Sequence, residues 1–473
     1  MNGRSTTFSF VTAALAILLP CASDAATYEV GPGKPLASVG DVPWESLNAG
    51  NTVLIYHRPT PYKEKFVLSR IGTQAAPITV RGVLGPNGER PVLDGSGATT
   101  RAQLNYYSRG RGVIKIGGST VPFADGTTVM PQWLVIENLE IRGARPPNTF
   151  SGPDGTQESY TAPASSIYLE FGENITVRNC DLNNNGNGFF AFSTDTIVTR
   201  NLLLENNYIH DNGNVGSNFE HNVYVAAIGV TYQYNHFGPT FPGAGGNNPK
   251  DRSAGLVVRY NWIEGANRQL DLVNGEDSAA IRADPRYRAT HVYGNVVIEH
   301  PNSGNNDIVH YGGDTGSAQK WRKGTLYFYN NTVVSDRTDA TRMFRLSTND
   351  ESCDARNNVV YVTAAGANLK VLDSYGRLTL TANWFKTGWS PFAVNRPKGT
   401  ITNNGTLTGA TPGFVDEAGQ DYSLTSTSAL RDSGVALHPA VLPDHDVVRE
   451  YVKHQSSAPR VIVGPIDIGA FEF

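Results

Sequence analysis

Residues 256–265, LVVRYNWIEG, decide the fold of this 473-residue chain. They join a β-branched run to an Asn and a second apolar pair, and similar stretches recur along the chain at intervals of 25 to 41 residues. Self-similarity at this period, in short strand-like runs broken by Gly and Asn, is typical of a β-solenoid. The pattern predicts an all-β, single-domain right-handed parallel β-helix with one coil per copy. The repeated residues are Asn138, Asn179, Asn207, Asn235, Asn261, Asn295, Asn331, Asn358 and Asn383.

The repeated asparagines are predicted to be structural. Asn tolerates the left-handed backbone conformation that turns one strand into the next, and its amide can hydrogen-bond to an Asn in the adjacent coil. We therefore expect one column of stacked asparagines at a corner of the helix. The longer intervals are expected to hold inserted loops that line a binding face.

Composition supports a β-rich chain and excludes one class of partner. The chain has 49 Gly, 10% aromatic residues and 17% charged residues, with no long amphipathic helix pattern. Because a solenoid grows by adding coils, 473 residues can form one domain. The net charge of −4 is too weak to indicate nucleic-acid binding, so any anionic ligand must be held by a local cluster.

The N-terminus is typical of an export signal. Arg4 is followed by an apolar stretch from Phe8 to Leu19 and then by small residues. We expect residues 1–25 to be a signal peptide, and Cys21 to be removed with it. No apolar run is long enough for a lasting membrane anchor. The expected location is therefore secreted or periplasmic.

The mature chain, residues 26–473, is expected to form the β-helix domain. Residues 26–130 would form the N-terminal cap and first coils, residues 131–390 the central coils with a substrate groove, and residues 391–473 the last coils and cap. Cys180 and Cys353 are separated by six repeats, which is farther than a disulfide can bridge. They are predicted to be unpaired and buried.

A second strand precedes each Asn strand, and its middle residues carry the chemistry. In order, these strands are SIYLEF, GFFAFS, HNVYVAA, KDRSAG, RQLDLVNG, DIVHYGG and RMFRLS. Adjacent coils are about 4.8 Å apart, so residues far apart in sequence can share one groove. The candidate residues of this column are His221, Asn222, Tyr224, Lys250, Arg252, Asp271 and His310.

This set suits cleavage of a uronic-acid polymer by β-elimination. The proton next to a carboxylate becomes acidic only when the carboxylate charge is neutralised, and Arg252 has a permanent charge and a matching fork. Lys250 is a candidate base if Arg252 and burial lower its pKa. Tyr224 and His221 are candidates for the acid, or for base and acid as a pair. Structural explanations for the same residues are a solvated strand edge and core packing.

Three segments resemble secreted right-handed β-helix polysaccharide lyases, a pectate-lyase-like architecture. The opening from Tyr28 and the closing IDIGAFEF resemble the ends of these enzymes. The stretch from Lys250 to RQLDLVNG is distantly similar to the chondroitinase B and alginate lyase group. In that group a catalytic Lys, matched by Lys250, is followed by a catalytic Arg in an L-R-H-G segment. Here Asp271 stands at the Arg position, and the His and Gly are absent.

Because Asp271 replaces the catalytic Arg, the sequence does not identify the cation that would neutralise the substrate carboxylate. The resemblance implies that Arg252 or Arg282 takes its place, or that calcium does. Members of the group often use calcium, for which Asp271, Glu276 and Asp277 would be hard oxygen ligands. We expect an acidic polysaccharide substrate, no nucleic-acid partner, no membrane anchor and a monomer. The predicted substrate-binding residues are Asp271, Arg282, His310 and Asn222.

Other functions remain open on sequence alone. β-Helix hydrolases of pectin use clustered Asp residues, and this chain has no Asp-Asp pair. A uronate epimerase would share the proton abstraction and differ only in returning the proton. A non-catalytic glycan-binding β-helix would need an aromatic platform, whereas Trp133, Trp262, Trp321 and Trp384 are scattered.

Overall fold

The computed structural model describes residue 3 and residues 25–104, 106–118, 130–301, 303–366 and 368–473. Apart from Gly3 and Ala25, the predicted signal peptide and Cys21 lie outside the described residues. Within these ranges the chain forms three long, mostly parallel sheets of 13, 14 and 11 strands. From Ser165–Leu169 to Leu407–Gly409, consecutive strands fall in different sheets in a fixed rotation, so the chain winds as a parallel β-helix. The predicted fold is confirmed.

The three sheets, called I, II and III, run along the helix axis. Sheet I contains the strands Thr27–Val30, Thr52–Tyr56, Ile78–Val83, Gln132–Glu137, Glu173–Arg178, Arg200–Glu205, Ile228–Gln233, Ala254–Arg259, Ala289–Tyr293, Gly324–Tyr329, Glu351–Arg356, Arg377–Thr381 and Thr400–Asn404. Sheet II contains, in spatial order, Gln157–Ser159, Thr149–Ser151, Ala98–Thr100, Glu64–Leu68, Gly112–Ile116, Ser165–Leu169, Asn187–Ala191, Val223–Val225, Pro249–Asp251, Leu270–Leu272, Asp307–Tyr311, Thr341–Leu346, Leu369–Leu372 and Ser390–Phe392. Sheet III contains Val92–Asp94, Glu140–Arg142, Asp181–Asn183, Tyr208–His210, His236–Phe237, Trp262–Glu264, Val296–Glu299, Thr332–Ser335, Val359–Val362, Trp384–Lys386 and Leu407–Gly409.

Few other elements occur in the described residues. Two hairpins pair Phe414–Asp416 with Asp421–Leu424, and Arg449–Val452 with Ser456–Pro459. The α-helix Ala279–Ala283 lies in the loop that follows the sheet II strand Leu270–Leu272. The 3-10 turns are Val39–Asp41, Trp44–Ser46, Arg109–Arg111, Pro285–Arg288 and Pro439–Val441. No helix among the described residues is both long and apolar enough to cross a membrane.

The core is a set of apolar rows that run from coil to coil. In sheet I the inward row passes in register through Ile175, Leu202, Val230 and Leu256, and each is buried. A single coil could not bury such a row, because its apolar face would remain open above and below. In the sheet I strand Ala254–Arg259, buried residues alternate with partly exposed ones, so one face packs on the core and the other faces outward.

The asparagine column is present, but its geometry corrects one prediction. From Asn207 to Asn358, the backbone N–H of each column Asn donates to the side-chain Oδ1 of the column Asn in the next coil, at 2.9–3.0 Å. The left-handed residue is the one before the column residue, as at Tyr234 and Tyr260. Two roles assigned to one Asn are thus divided between neighbours. In the first two of the nine repeated stretches, Asn138 and Asn179 take the left-handed position, and Leu139 and Cys180 stand in the column.

Removal of a mid-column asparagine is expected to destabilise the fold. The Asn261 side chain accepts from the Asn235 backbone and amide at 2.9 and 3.0 Å, and donates to Asn295 at 3.0 Å. Asn261→Ala would leave these buried groups unsatisfied, at a cost of roughly 2–5 kcal/mol. Urea unfolding measures the loss. The exposed Asn404→Ala is the control, expected within about 0.5 kcal/mol of wild type; an equally small loss for Asn261→Ala would contradict a supporting column.

A second buried polar chain crosses the coils near the corner between sheets III and II. Asn222 donates to Asn248 at 2.7 Å, Asn248 to Gln269 at 2.9 Å, and Gln269 to Glu299 at 2.8 Å. All four side chains are fully buried. Asn222 therefore faces the interior, and its predicted role as a substrate-binding residue is wrong. In the alternating backbone its neighbour His221 takes the outward position.

The C-terminal segment lies along the outside of the helix. Tyr422, Leu430 and Tyr451 pack on Trp262 and on the neighbouring buried residues of sheet III. The predicted unpaired thiols are confirmed: Cys180 and Cys353 are both free and buried, and burial raises the pKa of Cys180 to about 12.

Candidate functional site

Sheet II brings the predicted polar column together. The register pairs Tyr224 with Lys250, Lys250 with Asp271, and Asp271 with His310 in consecutive strands. Because neighbouring strands are about 4.8 Å apart, four residues spread over 87 positions line one strip of surface. The next residue of the strip is Arg345, paired with His310.

Two cations at the centre of the strip converge on one carboxylate oxygen. Lys250 Nζ lies 2.5 Å from Asp314 Oδ2, and Arg252 Nη2 donates to the same oxygen at 3.0 Å. Asp314 sits on the loop after Asp307–Tyr311 and is the most exposed of the three, with 23% of its side chain accessible against 13% and 6% for Lys250 and Arg252. The cationic pair thus points outward, beneath a carboxylate at the surface.

Asp271 lies beneath Lys250 and anchors it. Its Oδ2 accepts from Lys250 Nζ at 2.8 Å and from the Asn247 amide at 2.9 Å, and its Oδ1 lies 2.8 Å from His310 Nδ1. Its side chain is 1% exposed. Burial would raise the pKa of Asp271, but Lys250 and His310 hold that pKa well below its usual range. Asp271 is therefore a buried anion that positions Lys250, with no free oxygen facing the groove.

His310 is committed to protein contacts. Its Nδ1 meets Asp271 and its Nε2 lies 3.0 Å from Ser347 Oγ, so both ring nitrogens are used. The ring is 3% exposed. The structure places this predicted substrate-binding residue next to the site, below its surface, where it orients Asp271.

The charge state of Lys250 differs from the sequence prediction. Burial alone would lower the pKa of Lys250, as expected, but Asp271 and Asp314 outweigh it and raise that pKa above its usual value. The condition for Lys250 as a neutral base is not met in this arrangement. The sequence offered Lys250 as a base only on that condition, and the carboxylates Asp271 and Asp314 are what oppose it. Lys250 is suited to act as a cation.

Arg252 also contacts a tyrosine. Its Nε donates to the Tyr224 hydroxyl at 2.8 Å, and its Nη1 donates to the Asn274 carbonyl at 2.7 Å. Burial opposes the charge of Arg252, but Tyr224 and Asp314 outweigh it and raise the pKa of the guanidinium. The Tyr224 oxygen accepts from this permanent cation, so its own hydrogen must point elsewhere. Tyr224 is half-buried and borders the groove.

His221 is held as one neutral tautomer. The Asn247 backbone N–H donates to His221 Nδ1 at 2.9 Å, so the ring hydrogen is on Nε2. Burial, with Lys250 beside it, lowers the pKa of His221 to about 3. Nε2 has no partner among the described residues, and the ring meets Tyr224 edge-on with centroids 5.7 Å apart. This geometry makes His221 a hydrogen-bond donor and leaves it without a lone pair to act as base.

The buried neutral His221 should make stability depend on acid pH. Its folded pKa of about 3 lies below the ordinary 6.5, so its contribution is present above pH 6.5 and is lost as pH falls toward 3. Asn can keep the acceptor for Asn247 without titrating. We expect His221→Asn to lose less unfolding free energy than wild type between pH 7 and pH 4.5, measured with urea. An identical loss in both proteins would show that His221 is protonated normally.

Arg282 and the remaining acids do not complete a site. Arg282 Nη1 donates to the Gly275 and Glu276 carbonyls at 2.6 and 2.9 Å, so the side chain braces the turn beside the groove. Glu276 is engaged by Thr315 and Lys320 at 2.5 and 2.9 Å, and Asp277 is exposed. Asp271 is enclosed by its own donors. These three acids do not share a donor set that fits calcium, and the described residues contain no cluster of acids, His or Cys suited to a metal.

Sequence reasoning missed three residues of the site. Asp314 follows the strand DIVHY in a Gly-rich loop, YGGDTG, and only its position after a column strand could have indicated it. Asn247 precedes Lys250 and contacts both His221 and Asp271. Arg268 precedes Asp271 and lies 3.9 Å from its Oδ1.

A cavity of about 560 Å³ lies on sheet I, away from this site. Gly229 and Gly255 contribute to its lining, together with Arg286 and His291. The guanidinium of Arg286 is held by Asp284 at 2.9–3.0 Å, and burial lowers the pKa of His291 to about 3. The cavity thus has a paired cation and a neutral imidazole, without the convergent cations seen on sheet II.

Comparison with known proteins gives similarities of fold. No protein-family model and no curated protein matches the chain. Among solved structures, the chain is similar to pectate lyase Pel9A, with 13% identity, a TM-score of 0.49, and 95% of this chain and 97% of that chain covered. It is also similar to an alginate lyase from Paenibacillus sp. str. FPU-7, with 14% identity, a TM-score of 0.34, and coverage of 77% and 95%. A lacto-N-biosidase from Eubacterium ramulus has 13% identity, a TM-score of 0.36, and coverage of 82% and 68%.

Proposed function

We propose that the protein is a polysaccharide lyase that cleaves a uronic-acid-containing polysaccharide by β-elimination. The supporting observation is the convergence of Lys250 and Arg252 on one carboxylate oxygen of Asp314, beside a tyrosine oxygen bonded to the same arginine. In this proposal Asp314 stands in for the substrate carboxylate. Both cations keep their charge, as neutralisation of a uronate requires.

The reaction then follows from these positions. The substrate carboxylate replaces Asp314 between Lys250 and Arg252, which makes the proton on the adjacent carbon acidic. Tyr224, which has first given its hydroxyl proton to solvent, takes that proton on the oxygen that accepts from Arg252 Nε. The electron pair forms a carbon–carbon double bond, and the bond to the glycosidic oxygen breaks. The departing oxygen takes a proton from Tyr224, while His221 Nε2–H offers a further hydrogen bond.

A hydrolase is less well supported by the same groove. Acid-base glycosidases keep one carboxyl group protonated by raising its pKa. The two carboxylates that contact Lys250, Asp271 and Asp314, both have lowered pKa values, because Lys250 offsets the effect of burial at each. Neither is poised to donate a proton to a leaving group at neutral pH.

We further propose a location, a substrate shape and an oligomeric state. The predicted export signal supports a secreted or periplasmic enzyme that acts on polymer outside the cytoplasm. A strip of polar side chains across consecutive strands of sheet II supports a chain-like acidic substrate. A monomer suffices, because all proposed catalytic groups come from one chain.

Product analysis tests the reaction type. The purified protein is incubated with alginate, glucuronan, pectate and chondroitin, and the products are examined by mass spectrometry. The proposal predicts oligosaccharides lighter by one water than hydrolysis products, with an unsaturated end. Products of hydrolysis mass would support a glycosidase. Deuterium uptake from heavy water without chain cleavage would support an epimerase.

Asp314 is expected to compete with substrate. Asp314→Asn removes the negative charge between Lys250 and Arg252, so we expect the KM for a cleaved polymer to fall about three- to tenfold with kcat largely kept. Asp350→Asn removes an exposed charge paired with Lys323 and serves as the control. A loss of kcat on Asp314→Asn would instead make Asp314 part of the proton transfer.

A further inference from the structure

Three arginines surround one buried carboxylate beside the site. Asp307 is fully buried, and its oxygens lie 3.5 Å from Arg268 Nη2, 2.5 Å from Arg342 Nε and 3.4 Å from Arg345 Nη1. Arg342 has a second partner in Asp373 at 3.2 Å. Arg268 also lies 3.9 Å from Asp271, which it shares with Lys250, so the cluster connects the buried Asp307 to the proposed site.

Arg345 is the member of this cluster that extends farthest into solvent. Its side chain is 43% exposed, against 26% for Arg342 and 16% for Arg268. Its one hydrogen bond joins Nη1 to Asp307, and its other guanidinium donors have no partner among the described residues. A guanidinium fork with unused donors matches a carboxylate. Asp307 thus holds one side of the Arg345 guanidinium, and the remaining donors of Arg345 face solvent.

Arg345 lies on the same strip as the proposed catalytic centre. The register runs from Lys250 through Asp271 and His310 to Arg345, three strands away. At about 4.8 Å per strand, the two cations are roughly 14 Å apart along the axis. A polymer chain lying along the strip would meet both.

We propose that Arg345, held by Asp307 with Arg268 and Arg342, forms a second anionic subsite that binds another carboxylate of the same chain. Its ligand class rests on the proposed function: the substrate would carry acidic groups on several sugar units, as in a polyuronate. The subsite favours long acidic chains over short ones, because a disaccharide held at Lys250 does not reach Arg345.

Binding measured without turnover tests the subsite separately from the reaction. Isothermal titration in a Tyr224→Phe background would compare hexagalacturonate and hexamannuronate with their disaccharides and methyl esters. Adding Arg345→Gln is expected to weaken binding of at least one hexauronate about tenfold, and to change binding of the disaccharide or the neutral ester less than twofold. Arg377→Gln, an exposed arginine on sheet I, removes the same charge elsewhere and should change neither.

The outcomes separate the two proposals. Equal hexauronate affinity with and without Arg345→Gln, or the same loss for the neutral ester, would overturn the subsite, as would a parent protein that binds no hexauronate. Unsaturated products from the wild-type enzyme would still support the lyase in those cases. Selective loss of hexauronate binding without any unsaturated product would keep the subsite and overturn the lyase.

Discussion

Tyr224→Phe is expected to lower kcat about a thousandfold on whichever uronate polymer the protein cleaves. The substitution removes only the oxygen that accepts from Arg252 Nε at 2.8 Å, and positioned proton transfer contributes about a hundred- to ten-thousandfold to catalysis. The ring remains, with its edge contacts to Phe190 and His221. Because the cations that hold the carboxylate also remain, KM should change little.

A second tyrosine provides the control for Tyr224. Tyr56 lies in the N-terminal coils of sheet I, and its hydroxyl bonds to Glu29 at 2.5 Å. Tyr56→Phe also removes a hydroxyl bonded to a charged group and should leave kcat unchanged. If Tyr224→Phe kept more than a tenth of wild-type kcat, another group would have to transfer the proton, and the role assigned to Tyr224 would be wrong.

Arg252→Lys is expected to lower kcat about a hundredfold although it keeps the positive charge. The guanidinium bonds at once to Tyr224, to the Asn274 carbonyl and to Asp314. A lysine ammonium has no planar fork and cannot reproduce the three directions together. Loss of one preorganised electrostatic contact costs about a hundred- to a thousandfold in kcat. Steady-state kinetics on the cleaved polymer would measure the effect.

The control for Arg252 lies on the other side of the helix. Arg286 is 55% exposed and is paired with Asp284, so Arg286→Lys makes the same chemical change far from the groove. It should leave kcat and KM unchanged. Full activity in Arg252→Lys would show that charge alone is enough and that the link to Tyr224 has no catalytic role.

The fold could be predicted from sequence because its cause is local and repeated. Each coil needs the same apolar row and the same corner, so the pattern around Asn261 returns in every coil. The sequence could not show which of two adjacent corner residues takes the left-handed backbone and which joins the hydrogen-bonded column. Asn206 and Asn207 are adjacent and chemically identical, yet one takes the left-handed backbone and the other joins the column. In two coils a tyrosine, Tyr234 or Tyr260, takes the left-handed position before a single asparagine, and there the sequence distinguishes the two positions.

The site was predictable as far as strand register reached. Tyr224, Lys250 and Asp271 occupy equivalent positions in successive coils, so stacking alone brings them together. Loops follow no such rule, and Asp314 therefore escaped prediction. Asp314, together with Asp271, raises the pKa of Lys250, whereas the sequence alone suggested that burial and Arg252 would lower it. Asn222 was misassigned because the corner turns its side chain inward beside the outward His221.

The most direct test is ultraviolet absorbance of the mature protein with a panel of uronate polymers: alginate, glucuronan, pectate, chondroitin and a bacterial exopolysaccharide. We expect one polymer to give a rising signal from unsaturated uronate, a chelator to leave the rate unchanged, and Tyr224→Phe and Lys250→Ala to abolish the signal. A rate kept in both variants would contradict the assigned site. New reducing ends without absorbance would contradict β-elimination itself.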